Sequence, residues 1–240
     1  NSEGDTVRTF KRKLKEGFNR LRWRPDMKGV NFPSKRESKE KTEPGGMPII
    51  PGDYKILFEY GEQKDSTVLT VQLDPREDAD LFDPQAKYAA KKEFNKTVAA
   101  ATDAFENLKE AKKSMGIYKK IIAVQEDSIK KQMNKLHKEI ASEIDSLMHL
   151  YMLPEAKKTE YRDNSNTLNA KLSMGNRFLG TATGAPTDNG QYAIRNAQEA
   201  TISVLKAVNE FFEDDWKPYI NALKELPLNI YNEFESVEIE

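Results

Sequence analysis

Histidine is the commonest general base, and the 240 residues hold two. His137 and His149 stand twelve positions apart. On a helix rising ~1.5 Å per residue that is about 18 Å along the axis, too far to share a metal. Both read as surface side chains of one helix. Carboxylates are plentiful, and paired carboxylates can run acid–base hydrolysis. "FFEDDW" sets Glu213, Asp214 and Asp215 between aromatic residues. It reads as a solvated helix edge whose aromatics pack inward. "DPREDADLFD", from Asp74 to Asp83, could attract calcium but lacks the spacing of a calcium loop, and reads as a solvated link. "GTATGAPTDNG", from Gly180 to Gly190, lacks the lysine and the preceding strand of a phosphate loop, and reads as a turn between helices. The chain contains no cysteine, which excludes disulfides, thiolate metal sites and thiol nucleophiles. No GxSxG elbow is present. The expected catalytic, cofactor-binding and metal-binding residues are therefore none.

The elements that would position any site fall into two groups by period. In residues 1–76, "TVRTFKRKL" (Thr6–Leu14), "FNRLRWR" (Phe18–Arg24), "DYKILFEY" (Asp53–Tyr60) and "STVLTVQL" (Ser66–Leu73) read as β-strands bounded by glycine and proline. Tyr54, Ile56, Phe58 and Tyr60 share one face of the third run. Gly61 stands where a hairpin turn needs it. In "NRLRWR", Leu21 and Trp23 are expected inward and Arg20, Arg22 and Arg24 outward. The segment from Pro33 to Gly52 reads as a long loop.

From Asp83 onward the period is helical. Asp83 can cap and Pro84 fits the first helical position. Phe94, Val98, Ala101, Phe105, Leu108, Met115, Tyr118 and Ile122 predict one helix to about Val124, with a seven-residue gap bridged by Ala111 or Lys112. A second helix is expected over Ser128–Met152, a third over Ser165–Leu179. A fourth should open at a capping box of Asp188 and Gln191, and Pro218 should interrupt it. Four amphipathic helices with short links predict an antiparallel bundle over 77–240. Phe211, Phe212 and Trp216 read as bundle core; projecting outward, they would form a partner surface.

The totals agree with long exposed helices. Charged residues make up 32% and apolar residues 38% of the chain, and 38 Lys+Arg face 39 Asp+Glu. Residues 1–50 carry 13 Lys+Arg against 7 Asp+Glu, a surplus that could follow a phosphate backbone. Its alternation with apolar residues fits a strand face better, so no nucleic-acid partner is expected. No apolar run approaches the ~20 residues of a membrane span. No signal peptide is visible. The chain opens on Asn1 and is expected to be a piece of something longer.

The motifs carry a resemblance across nearly the whole chain. "GDTVRTF…GFNRLRWRPDMKGVNFP…GGMPIIPGDYKILFEYGEQKDSTVLTVQLDPR" resembles the region after the β-propeller in secreted bacterial proteins with sortilin-type, BNR-like repeats, many of them described as glycosyl hydrolases. It is also similar to the Ig-like module of flagellar hook-cap proteins, which runs G-x-N-x-x-x-W, a loop, then P-G-x-Y. Gly17, Asn19 and Trp23 match the first part; Pro51, Gly52 and Tyr54 match the second. Leu73–Arg76 matches the exit into a helical tail, and "NEFFEDDWKPY" resembles that tail's end. The resemblance implies an α+β chain: an Ig/fibronectin-like antiparallel β-sandwich over 1–76, then a four-helix bundle. The family's sandwich usually has strands ahead of "GDTVRTF", so the sandwich is expected to be truncated here or completed by strands ahead of Asn1. It further implies export to the periplasm or cell surface, hydrolase activity confined to the absent propeller, and that propeller as partner. The expected function is a non-catalytic accessory region, a spacer or docking platform. The alternative is a carbohydrate-binding module presenting Trp23, Tyr54, Tyr60 or Trp216.

Overall fold

A computed structural model describes residues 1–37, 42–76, 82–154 and 163–227. The chain is mixed α+β and mostly helical. In order it forms β1 (Asp26–Lys28), β2 (Gly45–Pro48), β3 (Gly52–Tyr60), β4 (Gln63–Val71), α1 (Pro84–Ala123), α2 (Asp127–Tyr151), α3 (Leu168–Thr181), α4 (Asp188–Phe211), a π-helical stretch (Phe212–Trp216) and α5 (Lys217–Lys224). Two compact units divide it: 1–102 with 169–200, and 103–168 with 201–240.

In the first unit the described strands make two separate antiparallel pairs, β1–β2 and β3–β4. The β1–β2 pair depends on close backbone approach: a Cβ on Gly46 would lie 2.6 Å from the Met27 carbonyl oxygen. β3 and β4 pair in unbroken register from Gly52↔Val71 to Tyr60↔Gln63. Gly61 turns them with φ of 60°, while among the described residues no non-glycine has positive φ. That is the pattern of a two-residue II′ turn, whose twist matches the strands. Met27, Ile49 and Tyr54 form the buried centre here, with Val7, Trp23, Ile50, Leu69, Val71 and Tyr88 packed around it.

The expected strands Thr6–Leu14 and Phe18–Arg24 carry no ladder. A strand exists only through pairing, and Lys28 N–H to the Val7 carbonyl, 2.8 Å, is the backbone bond that docks the first segment beside β1. In the second segment the side chain of Asn19 takes the ladder's place. It accepts from Lys15 N–H at 2.9 Å and donates to the Lys15 and Gly17 carbonyls at 2.8 Å each. Leu21 is exposed instead of inward, and Phe18 is exposed too. Trp23 is half-buried, its Nε1 donating to Asp26 Oδ1 at 2.9 Å. β1 forms between the expected strand Phe18–Arg24 and the expected loop, and β2 lies inside that loop; residues 38–41 of it are outside the described residues.

The helices follow their patterns closely. Asp83 Oδ1 accepts from Ala86 N–H at 2.9 Å, so the expected cap forms and Pro84 opens α1. Phe94, Val98, Ala101, Phe105, Leu108, Ala111, Met115 and Ile122 are buried, and Ala111 fills the gap in the stripe. The cap of α4 lies one residue earlier than expected. Thr187 Oγ1 receives Gly190 N–H at 3.4 Å, and Gln191 reaches back to the Pro186 carbonyl at 3.1 Å. α3 starts three residues late, because Thr167 Oγ1 bonds the Asn164 carbonyl at 2.8 Å in a preceding turn.

Pro218 has the expected disruptive effect, in a specific form. It has no N–H to continue the ladder and its ring crowds the preceding turn. The chain answers with the π-helical turn just ahead of it, where Lys217 N–H bonds the Phe212 carbonyl five residues back. Helix α5 follows with Pro218 in its first turn.

Candidate functional site

In the second unit, Met133, His137, Ile140, Ile144, Leu147 and Tyr151 line the buried face of α2. His137 is thus a core residue, and the expectation of a surface histidine is corrected; His149 is exposed as expected. The signal was present: His137 stands four after Met133 and three before Ile140, on the stripe itself. Its Nδ1 lies 2.7 Å from Tyr219 Oη, on α5. Burial, with Lys119 adding repulsion, lowers the His137 pKa below its usual 6.5. Burial, with Tyr118 adding to it, raises the Tyr219 hydroxyl well above its usual value. Both causes keep the pair neutral. A histidine–tyrosine dyad can move protons, but His137 is 9% exposed and Tyr219 1% exposed, so no substrate reaches it. The dyad is a clamp between helices.

Around it the aromatics form a continuous group. Tyr219 stacks near Tyr118 and Trp216 at 6.1 and 5.9 Å between centroids, and Phe211 stands 5.3 Å from Phe212. Phe211 is buried, while Phe212 and Trp216 are half-buried. These two line an open groove of about 380 Å³ with Asn107, Glu110, Ala111 and Ser114. The aromatic set expected as core therefore divides, with one ring inside and two at a rim. Glu213, Asp214 and Asp215 are exposed, and Glu213 pairs with Lys217 at 3.0 Å.

In the first unit the hairpin supplies a different surface. Tyr54 is buried and its hydroxyl donates to the Ile50 carbonyl at 2.8 Å. Beyond it the hairpin emerges into water. Leu57, Phe58, Tyr60 and Val68 are 66%, 45%, 69% and 67% exposed. Arg20, Arg22 and Arg24 are exposed as expected, though not on a strand. Next to β1, Glu43 accepts from Thr9 N–H at 2.9 Å and pairs with Lys28, and the Thr9 bond leads in holding its carboxyl below the usual range. A smaller hollow of about 200 Å³ includes Lys28, Tyr88, Lys91, Lys92 and Asn95. Burial lowers the Lys91 pKa, and its ammonium donates to Asn176 Oδ1.

"GTATGAP" is a turn between α3 and α4, with the Thr183 carbonyl accepting from Asp83 N–H at 3.2 Å. Residues 77–81 of the acidic link lie outside the described residues. Among the described residues no group of three His, Asp or Glu stands close enough to hold a metal ion, and no helix is long and apolar enough to cross a membrane. Comparison with protein-family models, curated proteins and solved structures found no match to this chain.

Proposed function

We propose that this chain is a non-catalytic accessory region of a larger exported, propeller-containing protein, acting as a docking platform or spacer. Its Ig-like and bundle parts would pack against that propeller. The observation that carries the reading is the exposed half of the β3–β4 hairpin. Four large apolar residues face water on an element anchored at its base by buried Tyr54. Leu57 and Val68 share one face of the hairpin and Phe58 and Tyr60 the other, and exposed apolar area on both faces of one element marks a partner surface. The resemblance of the β segments and of "NEFFEDDWKPY" supplies the context. The coding sequence upstream of Asn1 tests it. A propeller there supports the reading, and co-purification with that propeller establishes docking. Any other neighbour overturns the propeller context, and failure to associate on mixing leaves the spacer role alone.

A second reading is carbohydrate binding. Trp216 and Phe212 at the rim of a groove with Asn107, Glu110 and Ser114 combine ring faces with polar groups, the lining that sugar rings need. Calorimetric titration with a polysaccharide panel tests it, using Trp216→Ala as control. Heat lost in the variant supports sugar binding; no heat with any polysaccharide removes it.

A further inference from the structure

The exposed strand reads "YKILFEY", Tyr54 to Tyr60, and it is self-complementary about its middle. Leu57 is the centre. Ile56 and Phe58 flank it, Lys55 and Glu59 flank those, and a tyrosine stands at each end. Lys55, Leu57 and Glu59 share one face of β3 and all are exposed. β3 has β4 on one side; among the described residues no strand and no other backbone hydrogen bond reaches its other edge.

The turn decides which backbone groups that edge offers. Tyr60 and Gln63 face each other across the two-residue turn. Residues closing such a turn exchange hydrogen bonds, and pairs alternate along an antiparallel ladder. The even-numbered residues of β3 therefore bond to β4. Lys55, Leu57 and Glu59 direct their N–H and C=O groups to the free edge.

We infer that β3 docks on β3 of a second copy, antiparallel about Leu57, joining two hairpins into one four-stranded sheet. This goes beyond the docking-platform reading: a second copy takes the free edge of β3, while the faces of the hairpin are the surface offered to the propeller. In this register Leu57 meets Leu57 of the second copy, and Lys55 meets Glu59 twice. Ile56 meets Phe58 twice on the opposite face. The three outward-directed residues of each copy fall opposite one another, so their backbone groups are mutually satisfied. Glu59 keeps Lys64, at 2.9 Å across the hairpin, and gains a second lysine. Other alignments lose this match. A parallel in-register pairing puts Lys55 beside Lys55 and Glu59 beside Glu59, and like charges directly opposite destabilise a sheet. An antiparallel slip of one residue turns the apolar faces over. A two-fold interface must complement itself, and this strand does. The paired stretch is short against a standard interface of ~800 Å² per partner, so association is weak and concentration-dependent.

Light scattering on the 240-residue chain over a concentration series tests the inference. A rising mass that approaches the dimer is expected. Lys55→Glu or Glu59→Lys alone places like charges opposite each other twice and should weaken association about tenfold. Mixing the two variants restores both pairs in a heterodimer, and so does combining them in one chain. Circular dichroism checks that each variant folds. Should one fail to fold, hydrogen exchange of the unaltered chain gives the answer, because Lys55, Leu57 and Glu59 amides must gain protection with concentration. Monomer at every concentration, dimer indifferent to both reversals, or no recovery on mixing overturns the dimer. Propeller association is a separate readout: if it survives, the platform reading stands without a second copy as occupant.

Discussion

His137 Nδ1 and Tyr219 Oη lie 2.7 Å apart, joining α2 to α5 across 82 residues of sequence. This is a polar contact inside an apolar core, where an unpaired partner is costly. Its protonation state therefore affects stability.

The unit should lose stability on mild acidification. The folded pKa of His137 lies below 6.5, so between that value and 6.5 the unfolded chain binds more protons. The contribution of the neutral ring is complete above pH about 6.5 and disappears as pH falls through the folded pKa. Urea midpoints at about pH 7.5 and about pH 5.5 should show the drop, and His137→Gln should flatten it. An unchanged slope in the variant would assign the effect to other groups.

Two buried tyrosines should respond differently to loss of the hydroxyl. Tyr219→Phe strands His137 and should cost about 1–2 kcal/mol. Tyr151 Oη is buried with no hydrogen-bond partner among the described residues. Tyr151→Phe should fall within about 0.5 kcal/mol of the parent or above it, because no bond is lost. Its ring keeps the contact with Phe105, 4.9 Å between centroids. Thermal denaturation of both variants makes the comparison.

Two helical glycines should give opposite signs on substitution by alanine. A Cβ on Gly175 would meet the Phe94 ring at 2.8 Å, and that ring is fully buried. Overpacking of this kind costs about 1–3 kcal/mol, more than the ~1 kcal/mol that alanine adds to a helix. Gly175→Ala should therefore destabilise. A Cβ on Gly116 meets nothing within 4 Å, so Gly116→Ala should stabilise α1 by up to about 1 kcal/mol. Guanidinium midpoints give both values.

Gly61→Val should loosen the hairpin specifically. At φ of 60° a β-branched residue is strained by about 1–3 kcal/mol. Amide exchange should quicken in β3 and β4 while the amides of α2 keep their rates. Equal acceleration in both places would mean that the hairpin does not open on its own.

Helices were legible in the sequence because their information is local. The stripe from Phe94 to Ile122 and the Asp83–Pro84 start need only neighbours three or four residues away. The β3–β4 hairpin and its Gly61 turn were legible for the same reason, but β4 runs Gln63–Val71 where Ser66–Leu73 was expected, because polar Gln63, Lys64 and Asp65 lack strand composition and join the ladder only through the tight turn. Strand pairing elsewhere was not. Thr6–Leu14 and Phe18–Arg24 have strand composition, yet pairing depends on distant backbone, and Asn19 diverts its own segment into a local turn. β1 and β2 lie across the long loop and carry little alternation. His137 was misplaced because its residue type outweighed its position on the stripe. Tyr219 lacks any local sign of its partner, since the contact spans two helices.

The π-helical turn at Phe212–Trp216 makes this end of the chain sensitive to length more than to identity. Each residue advances a helix by about 100°, so register before the turn sets the direction of every side chain after it. Exchanging Asp214 or Asp215 alters only an exposed position. Deleting either would close the wide turn to an α-helical one, which keeps α5 in register but sets the Pro218 ring against the carbonyl four residues before it. Within a family of such chains, the run between Phe212 and Trp216 should vary freely in its letters and keep its number wherever the proline is kept.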